Sequence, residues 1–293
     1  TPSAPPALPP VGNTLPRQVG VAKPNLDGSA GRFLNDPRSS ILIAAAVGIF
    51  LGWAVTEIFN VQSLFDKALI NATSESDFKQ RLNVAAGVWV GIVGLIFGLS
   101  YLTFDRAVSG AWEEVGRRAV RAAVPLAVVS FISGYLAQWI YYEMASSATS
   151  VSTAYVARMI GWAIFGGGVG LAIGLVDKSK QRAINGALGG LAGGAIGGVV
   201  FEFVLRKEIF GESLGRLVAL LAVGLAIAFA VRLVETARRE AWLSIVAGGM
   251  SGKEFIIYHE LTRIGASPDC EIFLLKDPAV LVRYGDFLAG PAG

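Results

Sequence analysis

The chain contains one histidine, His259, and one cysteine, Cys270, and this restricts the chemistry that its side chains can perform. Nucleophilic sites of the Ser-His-Asp and Cys-His types both need a histidine, and His259 lies in a predicted strand far from any glycine-rich nucleophile turn. A single cysteine cannot form a disulfide within the chain, and the two residues cannot build a Cys/His metal cluster. The sequence therefore predicts no catalytic residue, no metal site, no cofactor and no enzymatic activity.

Glu202 lies within the apolar run GVVFEFVLRK and is the main candidate for a functional charge inside a membrane. A carboxylate in hydrocarbon is costly and is by default a candidate for a functional site. Arg206 follows at the four-residue spacing of a helical ion pair, and headgroup water is within reach of a helix end. Two interpretations stay open, an ion pathway in a transporter or channel and an anchoring or subunit-contact role.

Long apolar helices must position these residues. Of the 293 residues, 53% are apolar and 16% are charged, and the mean hydropathy is +0.56. A membrane-spanning helix needs about 20 mostly apolar residues. Within residues 40–240 we predict six transmembrane helices, at approximately 40–59, 83–104, 122–142, 154–176, 183–205 and 214–234. The predicted fold class is mainly α, a polytopic transmembrane bundle with a small C-terminal β module.

Residues 1–39 hold eight of the twelve prolines and show no periodic apolar face. A segment of this composition is extended or disordered on its own, so we expect it to become ordered by lying on another subunit. The first apolar run begins near Ile41 after this polar stretch, which indicates no signal peptide and a first helix retained as an anchor.

The loops predict an orientation. With six spans, thirteen Lys and Arg residues lie near one membrane face and seven near the other. The positive-inside rule then places both termini in the cytoplasm. In the loop after the second span, DRAVSGAWEEVGRRAVRA has apolar residues at near-helical spacing, and it is predicted to lie on the cytoplasmic surface as an amphipathic segment.

Glycines recur every four residues along the fourth and fifth predicted helices. Small residues let helix backbones approach closely in lipid, where apolar burial gives no drive for pairing. We therefore predict a tight hairpin of these two helices, joined by DKSKQR. The predicted packing glycines, which form a glycine-zipper pattern, are Gly166, Gly170, Gly174, Gly186, Gly190, Gly194 and Gly198.

After Trp242 the apolar residues alternate in short runs separated by Gly, Ser, Pro and Asp, which predicts strands over 241–293. The stretch GKEFIIYHELTRIGASPDCEIFLLKDPAV resembles the opening strands of a forkhead-associated (FHA) domain, where a GKxF strand is followed by an IGRSPDCDI turn and a DPxVSRxHA stretch. The resemblance covers about 45 residues and implies a partial FHA-like module. It also indicates a bacterial multi-pass membrane protein.

FHA domains bind phosphothreonine with an Arg, a Ser and a His, because a dianionic phosphate needs charge-assisted donors. This chain has Ala266, Leu281 and Tyr284 at the matching positions, so the resemblance implies a degenerate pocket. The nearest polar remnants of a phosphopeptide site are Gly265, Ser267 and Arg283.

These features favour a non-catalytic membrane scaffold or accessory subunit of a larger complex in the bacterial cytoplasmic (inner) membrane. The expected partners are other membrane protein subunits and the lipid bilayer. The sequence contains no basic stripe of the kind that would predict nucleic-acid binding. The alternatives are a signalling adaptor that docks phosphothreonine through the C-terminal module and a transporter or channel that uses Glu202.

Overall fold

The computed structural model describes residues 37–108, 111–146, 151–207, 211–237, 242–244, 254–257, 261–265, 270, 272–273 and 285–288. The predicted proline-rich tail therefore lies almost entirely outside the described residues. The described part of the chain forms seven helices, α1 (Pro37–Ile58), α2 (Ser63–Ile70), α3 (Glu75–Val108), α4 (Trp112–Ser146), α5 (Val151–Val176), α6 (Lys180–Lys207) and α7 (Glu212–Ala237).

All of these helices except α2 are long and apolar enough to cross a membrane. The six predicted spans coincide with these six helices, so the main sequence prediction is confirmed at this level. The fold is mainly helical, and its six apolar helices fit a multi-pass membrane protein.

The helices extend beyond the predicted spans, most clearly at the start of α3. There the Asp77 backbone N–H donates to Ser74 Oγ at 3.2 Å, while the Asp77 carboxylate accepts from the Thr73 N–H at 2.9 Å. Such reciprocal bonds satisfy the free donors of a helix N-terminus. The helix consequently begins at Glu75, well before the predicted boundary at residue 83.

The segment after α3 differs from the prediction of a separate amphipathic element on the membrane surface. Its residues from Trp112 onward are the first turns of α4, which continues through Pro125 to Ser146. Glu113 and Glu114 in the first turn favour a helix start. Glu114 is also buried, and it pairs with Arg117 at 3.1 Å. These turns therefore belong to a bundle helix.

The core lies where α1, α3, α5, α6 and α7 meet, around the buried side chains of Ile49, Phe97, Phe165 and Val223. Neighbouring long helices run antiparallel, and α1 packs on both α3 and α7. Large apolar side chains also point outward, for example at a four-residue spacing along α4, as expected of helices that face lipid. These exposed residues of α4 are Val120, Val124, Val128 and Ile132.

The hairpin of α5 and α6 is closed by the residues Asp177, Lys178 and Ser179. Lys178 takes a left-handed conformation with φ 54°, and the Ser179 N–H donates to the Gly174 carbonyl at 3.1 Å. Ser179 Oγ then accepts from the Arg182 N–H at 3.2 Å, which caps the start of α6. Because this connection is short, the end of α5 and the start of α6 already lie side by side.

The C-terminal region contributes short strands, β1 (Trp242–Ser244), β2 (Glu254–Ile256), β3 (Leu261–Gly265), β4 (Ile272–Phe273) and β5 (Gly285–Leu288). β1 pairs antiparallel with β2, while β3 pairs parallel with β4 and antiparallel with β5. The FHA-like fold of this region stays a prediction, because most of its residues lie outside those that the structure describes.

Candidate functional site

Glu202 lies at one end of the bundle and is held by two arginines. Its side chain is only 5% exposed, and its carboxylate accepts from Arg158 Nε at 3.2 Å and from Arg206 Nε at 2.7 Å. The guanidinium of Arg158 also lies 3.7 Å from the ring centre of Tyr141, a cation–π geometry. The pair with Arg206 has the predicted four-residue spacing, whereas the pair with Arg158 joins α5 to α6.

A second ion pair joins α1 to α7 at the same end. Arg216 donates to both carboxylate oxygens of Glu57, with distances of 2.9 and 3.2 Å from its Nη2. Beside it, the Trp53 indole N–H donates to the Ser213 carbonyl at 3.2 Å. The two helices are 159 residues apart along the chain at this contact, so helical spacing gives no signal for it. This end of the bundle, with Glu57, Arg158, Glu202, Arg206 and Arg216, is named the open end.

The open end contains a cavity of about 220 Å³. Trp89, Trp162, Phe165 and Phe201 give it an aromatic wall, and Trp162 packs on Phe165 and Phe201 with ring centres 5.4 and 4.8 Å away. Because these large side chains are rigid, the helices cannot close on the space between them. The polar lining residues are Gln62, Gln138, Arg158 and Arg216.

Trp89 and Gln62 line the cavity, and Trp89 Nε1 and Gln62 Nε2 are fully buried nitrogens that lack an acceptor among the described residues. Trp89 is 8% exposed, so lipid or bulk water does not satisfy its indole. Buried donors are nearly always paired in proteins, and an unpaired one calls for a physical explanation. Neither residue has a spacing or a motif in the sequence that marks it as part of a site.

The opposite end of the bundle is occupied by a compact charge network and is named the closed end. Asp177 pairs there with both Arg118 and Arg182. Glu235 lies 3.6 Å from Arg182 and 3.9 Å from Arg232. The network joins α4, α6 and α7 to the turn after α5, and its Asp and Glu side chains are largely buried.

The predicted packing glycines of α5 and α6 lie in the contact between the two helices along its length, from the closed end to the open end. A Cβ on Gly166 would overlap the Gly190 carbonyl, and one on Gly170 would overlap the Gly186 carbonyl. Gly174 lies against Ala183, Gly194 against Trp162 and Gly198 against the Arg158 carbonyl. Other glycines of α6 pack against α7, with Gly189 against Val231 and Gly197 against Val223.

The residues linked to the FHA resemblance and to thiol or histidine chemistry are only partly described. Gly265 is the last residue of β3, and the Cys270 side chain is buried. Ser267, Arg283 and His259 lie outside the described residues, so the phosphopeptide site stays a prediction. Within the described ranges, no group of three or more His, Cys, Asp or Glu side chains is placed to hold a metal ion.

The chain matches no protein-family model, no curated protein and no solved structure.

Proposed function

We propose that this chain is a non-catalytic integral membrane scaffold or accessory subunit of a larger membrane protein complex. The packing of α5, α6 and α7, in which backbone meets backbone at successive glycines, carries the proposal. Helices seated this closely cannot slide past one another without losing the contacts that hold them in lipid. Such a bundle suits a fixed platform better than a moving gate.

The surroundings of Glu202 support the anchoring role over an ion pathway. Arg158 and Arg206 approach it from two directions, at 3.2 and 2.7 Å, and compensate its charge. A relay carboxylate must change partners during transport, whereas Glu202 is held by one arginine of its own helix and one of α5. In the proposal Glu202 ties α6 to α5.

The proposed location is the bacterial cytoplasmic membrane, with residues 37 and 237 on the cytoplasmic side. An even number of spans places the start of α1 and the end of α7 on the same side. The basic residues Arg106, Arg117, Arg118, Arg121, Arg182 and Arg232 cluster towards that side, the closed end, as the positive-inside rule requires. A reporter fused after Ala237 that fluoresces only in the cytoplasm should fluoresce, and a periplasm-dependent phosphatase at the same position should be inactive.

In this proposal the proline-rich tail predicted over 1–39, of which residues 1–36 precede α1, and the FHA-like module over 241–293 attach the bundle to its partner subunits. The test is affinity purification of the tagged chain from native membranes in a mild detergent, followed by mass measurement and quantitative mass spectrometry. We expect other membrane subunits in a fixed ratio to this chain, and fewer of them when residues 1–36 or 241–293 are deleted. A monodisperse monomer without such subunits would refute the proposal.

Gly116→Ala is the matched control for these purifications. Gly116 is exposed, and a Cβ there meets nothing within 4 Å, so this variant should retain the same subunits in the same ratio. If the control also lost subunits, the loss seen with the deletion variants would come from handling of the sample and not from the deletions.

A further inference from the structure

The closed end has more basic than acidic residues. The sequence contains eight Lys and Arg but five Asp and Glu over 105–121, 177–182 and 232–237. Glu114 shows the imbalance most clearly, because its carboxylate is shared by three arginines. Its oxygens lie 3.8, 3.1 and 3.9 Å from the side chains of Arg106, Arg117 and Arg121. A carboxylate has one negative charge, so it compensates only one of the three guanidinium groups.

Two of these arginines, Arg117 and Arg121, are accessible from outside the bundle. Their side chains are 44% and 62% exposed. Arg121 Nε donates to the Arg117 carbonyl at 3.3 Å, whereas the 3.9 Å between Arg121 Nη2 and Glu114 exceeds the length of a hydrogen bond. Glu113, the other carboxylate beside Arg117, is 4.0 Å away and itself exposed. A guanidinium has five N–H donors, so both arginines keep donors that a ligand can reach.

The exposed arginines continue into an apolar strip on the same face of α4. Arg121, Val124 and Val128 follow Arg117 at intervals of four, seven and eleven residues, the spacing of one helix face. Val124 and Val128 are exposed, and so is Trp112 at the start of the helix. Tryptophan is enriched where a helix crosses the membrane–water interface. A surface with cations at one end and apolar side chains below them suits an amphiphile with an anionic head.

We propose that this face of α4 binds an anionic phospholipid of the leaflet in which the closed end lies. Side chains four residues apart on a helix are neighbours, so one phosphate accepts charge-assisted hydrogen bonds from both Arg117 and Arg121. The acyl chains lie along Val124 and Val128. The lipid supplies the negative charge that Glu114 alone does not provide. This site lies on the outside of the bundle and does not depend on the scaffold role proposed above.

The test is native mass spectrometry of the full chain in a mild detergent, titrated with phosphatidylglycerol or with phosphatidylcholine of the same acyl chains. The Kd of the first bound phosphatidylglycerol should be about tenfold lower, because its net negative head group is attracted by both arginines. Added salt should reduce this preference, since it screens exposed charges. Glycerol 1-phosphate, which has a phosphate and no acyl chain, should not displace the lipid at the same concentration.

Two double variants locate the binding. Arg117→Gln with Arg121→Gln removes both guanidinium groups, so the Kd of phosphatidylglycerol should rise about tenfold, to that of phosphatidylcholine. Lys178→Gln with Lys180→Gln is the matched control. It removes the same charge from exposed positions at the same end, at the junction of α5 and α6, and should keep the preference of the wild type.

Melting temperatures establish which variants are folded, and if the arginine double variant is not, Arg121→Gln alone decides. Equal Kd values of the two lipids in the wild type would overturn the proposal, and so would an unchanged preference in the arginine variant. An equal loss of preference in the lysine variant would show attraction by net charge without a site. Displacement by glycerol 1-phosphate would show a site for soluble anions. Either of these outcomes would equally overturn the proposal.

Discussion

The two ends of the helix bundle are built from the same helices but differ in what separates them. At the closed end Gly170 and Gly174 lie directly against Gly186 and Ala183, and backbone meets backbone. At the open end Trp162, Phe165 and Phe201 stand between the helices and leave a cavity of about 220 Å³. Gly194 and Gly198 keep α5 and α6 in backbone contact at the open end as well, so the space lies between this pair and the helices α3 and α4 that also line it.

The two ends of the bundle also differ in how their charged side chains are paired. The closed end joins its groups into one network, in which Asp177 and Glu235 share Arg182. The open end has separate pairs, with Glu202 between Arg158 and Arg206, and Arg216 on Glu57. We therefore expect substitutions at the closed end to affect folding, and those at the open end to affect the cavity more than the fold.

The largest effect is expected for Gly170→Val at the closed end. A Cβ at Gly170 overlaps the carbonyl of Gly186, and backbone on both sides cannot yield as a flexible side chain would. The loss of stability should exceed about 3 kcal/mol, seen as loss of the folded peak in size-exclusion chromatography in detergent. Gly116→Ala is the control and should gain up to about 1 kcal/mol. A Gly170→Val protein that melts with the wild type would contradict this account of the closed end.

Asp177→Asn should have the next largest effect. The variant keeps one acceptor oxygen but removes the charge that Arg118 and Arg182 share. A hydrogen bond to a charged group contributes about 2 kcal/mol, and we expect a loss of this size in the free energy of unfolding. Unfolding of the variant in mixed detergent micelles measures it. Unchanged stability would mean that the network is not a structural part of the closed end.

Glu202→Gln should have a smaller effect, because its partners at the open end are less buried. Arg158 and Arg206 have 26% and 39% exposed side chains, and partly solvated pairs contribute about 1 kcal/mol or less. The melting temperature should fall slightly, and proton flux in liposomes should not change. A large fall in proton or ion flux would instead favour the transporter or channel.

Trp89→Phe should have the smallest effect on stability. The substitution removes ring volume beside an existing cavity, but it also removes a buried N–H that lacks a partner. The two changes oppose each other, so the net loss should stay below about 1 kcal/mol. Thermal unfolding of this variant beside Trp139→Phe, whose ring is exposed on the outside of α4, measures the difference. A loss of stability as large as that of Asp177→Asn would show that the open end contributes as much to the stability of the fold as the closed end.

The six long helices were predictable because apolar length alone identifies a membrane span. Their ends were not, since the caps of α3 and the buried Glu114 of α4 depend on local hydrogen bonds and ion pairs rather than on hydropathy. The eight residues of α2 are too few to show a period. Packing glycines show in the sequence as a four-residue spacing, which identifies candidates for contact without naming their partners.

The cavity could not be predicted, because it depends on which helices face one another. Trp89 and Gln62 come from separate elements, and their unpaired donors become visible only when the surrounding residues are in place. The contact of Arg216 with Glu57 crosses 159 residues and has no local signature. Glu202 was identified from its apolar neighbours and its spacing to Arg206, but Arg158 is 44 residues away along the chain and has no local signal that links it to Glu202.

The three-residue turn at Asp177, Lys178 and Ser179 also bears on how the protein is made. Because α5 and α6 are joined so closely, their glycines can meet as soon as α6 has left the ribosome, before α7 packs against them. Contacts between neighbours in sequence form quickly, since little chain entropy is lost in closing a short loop. The hairpin can thus enter the membrane as one unit and serve as the template on which the later helix assembles.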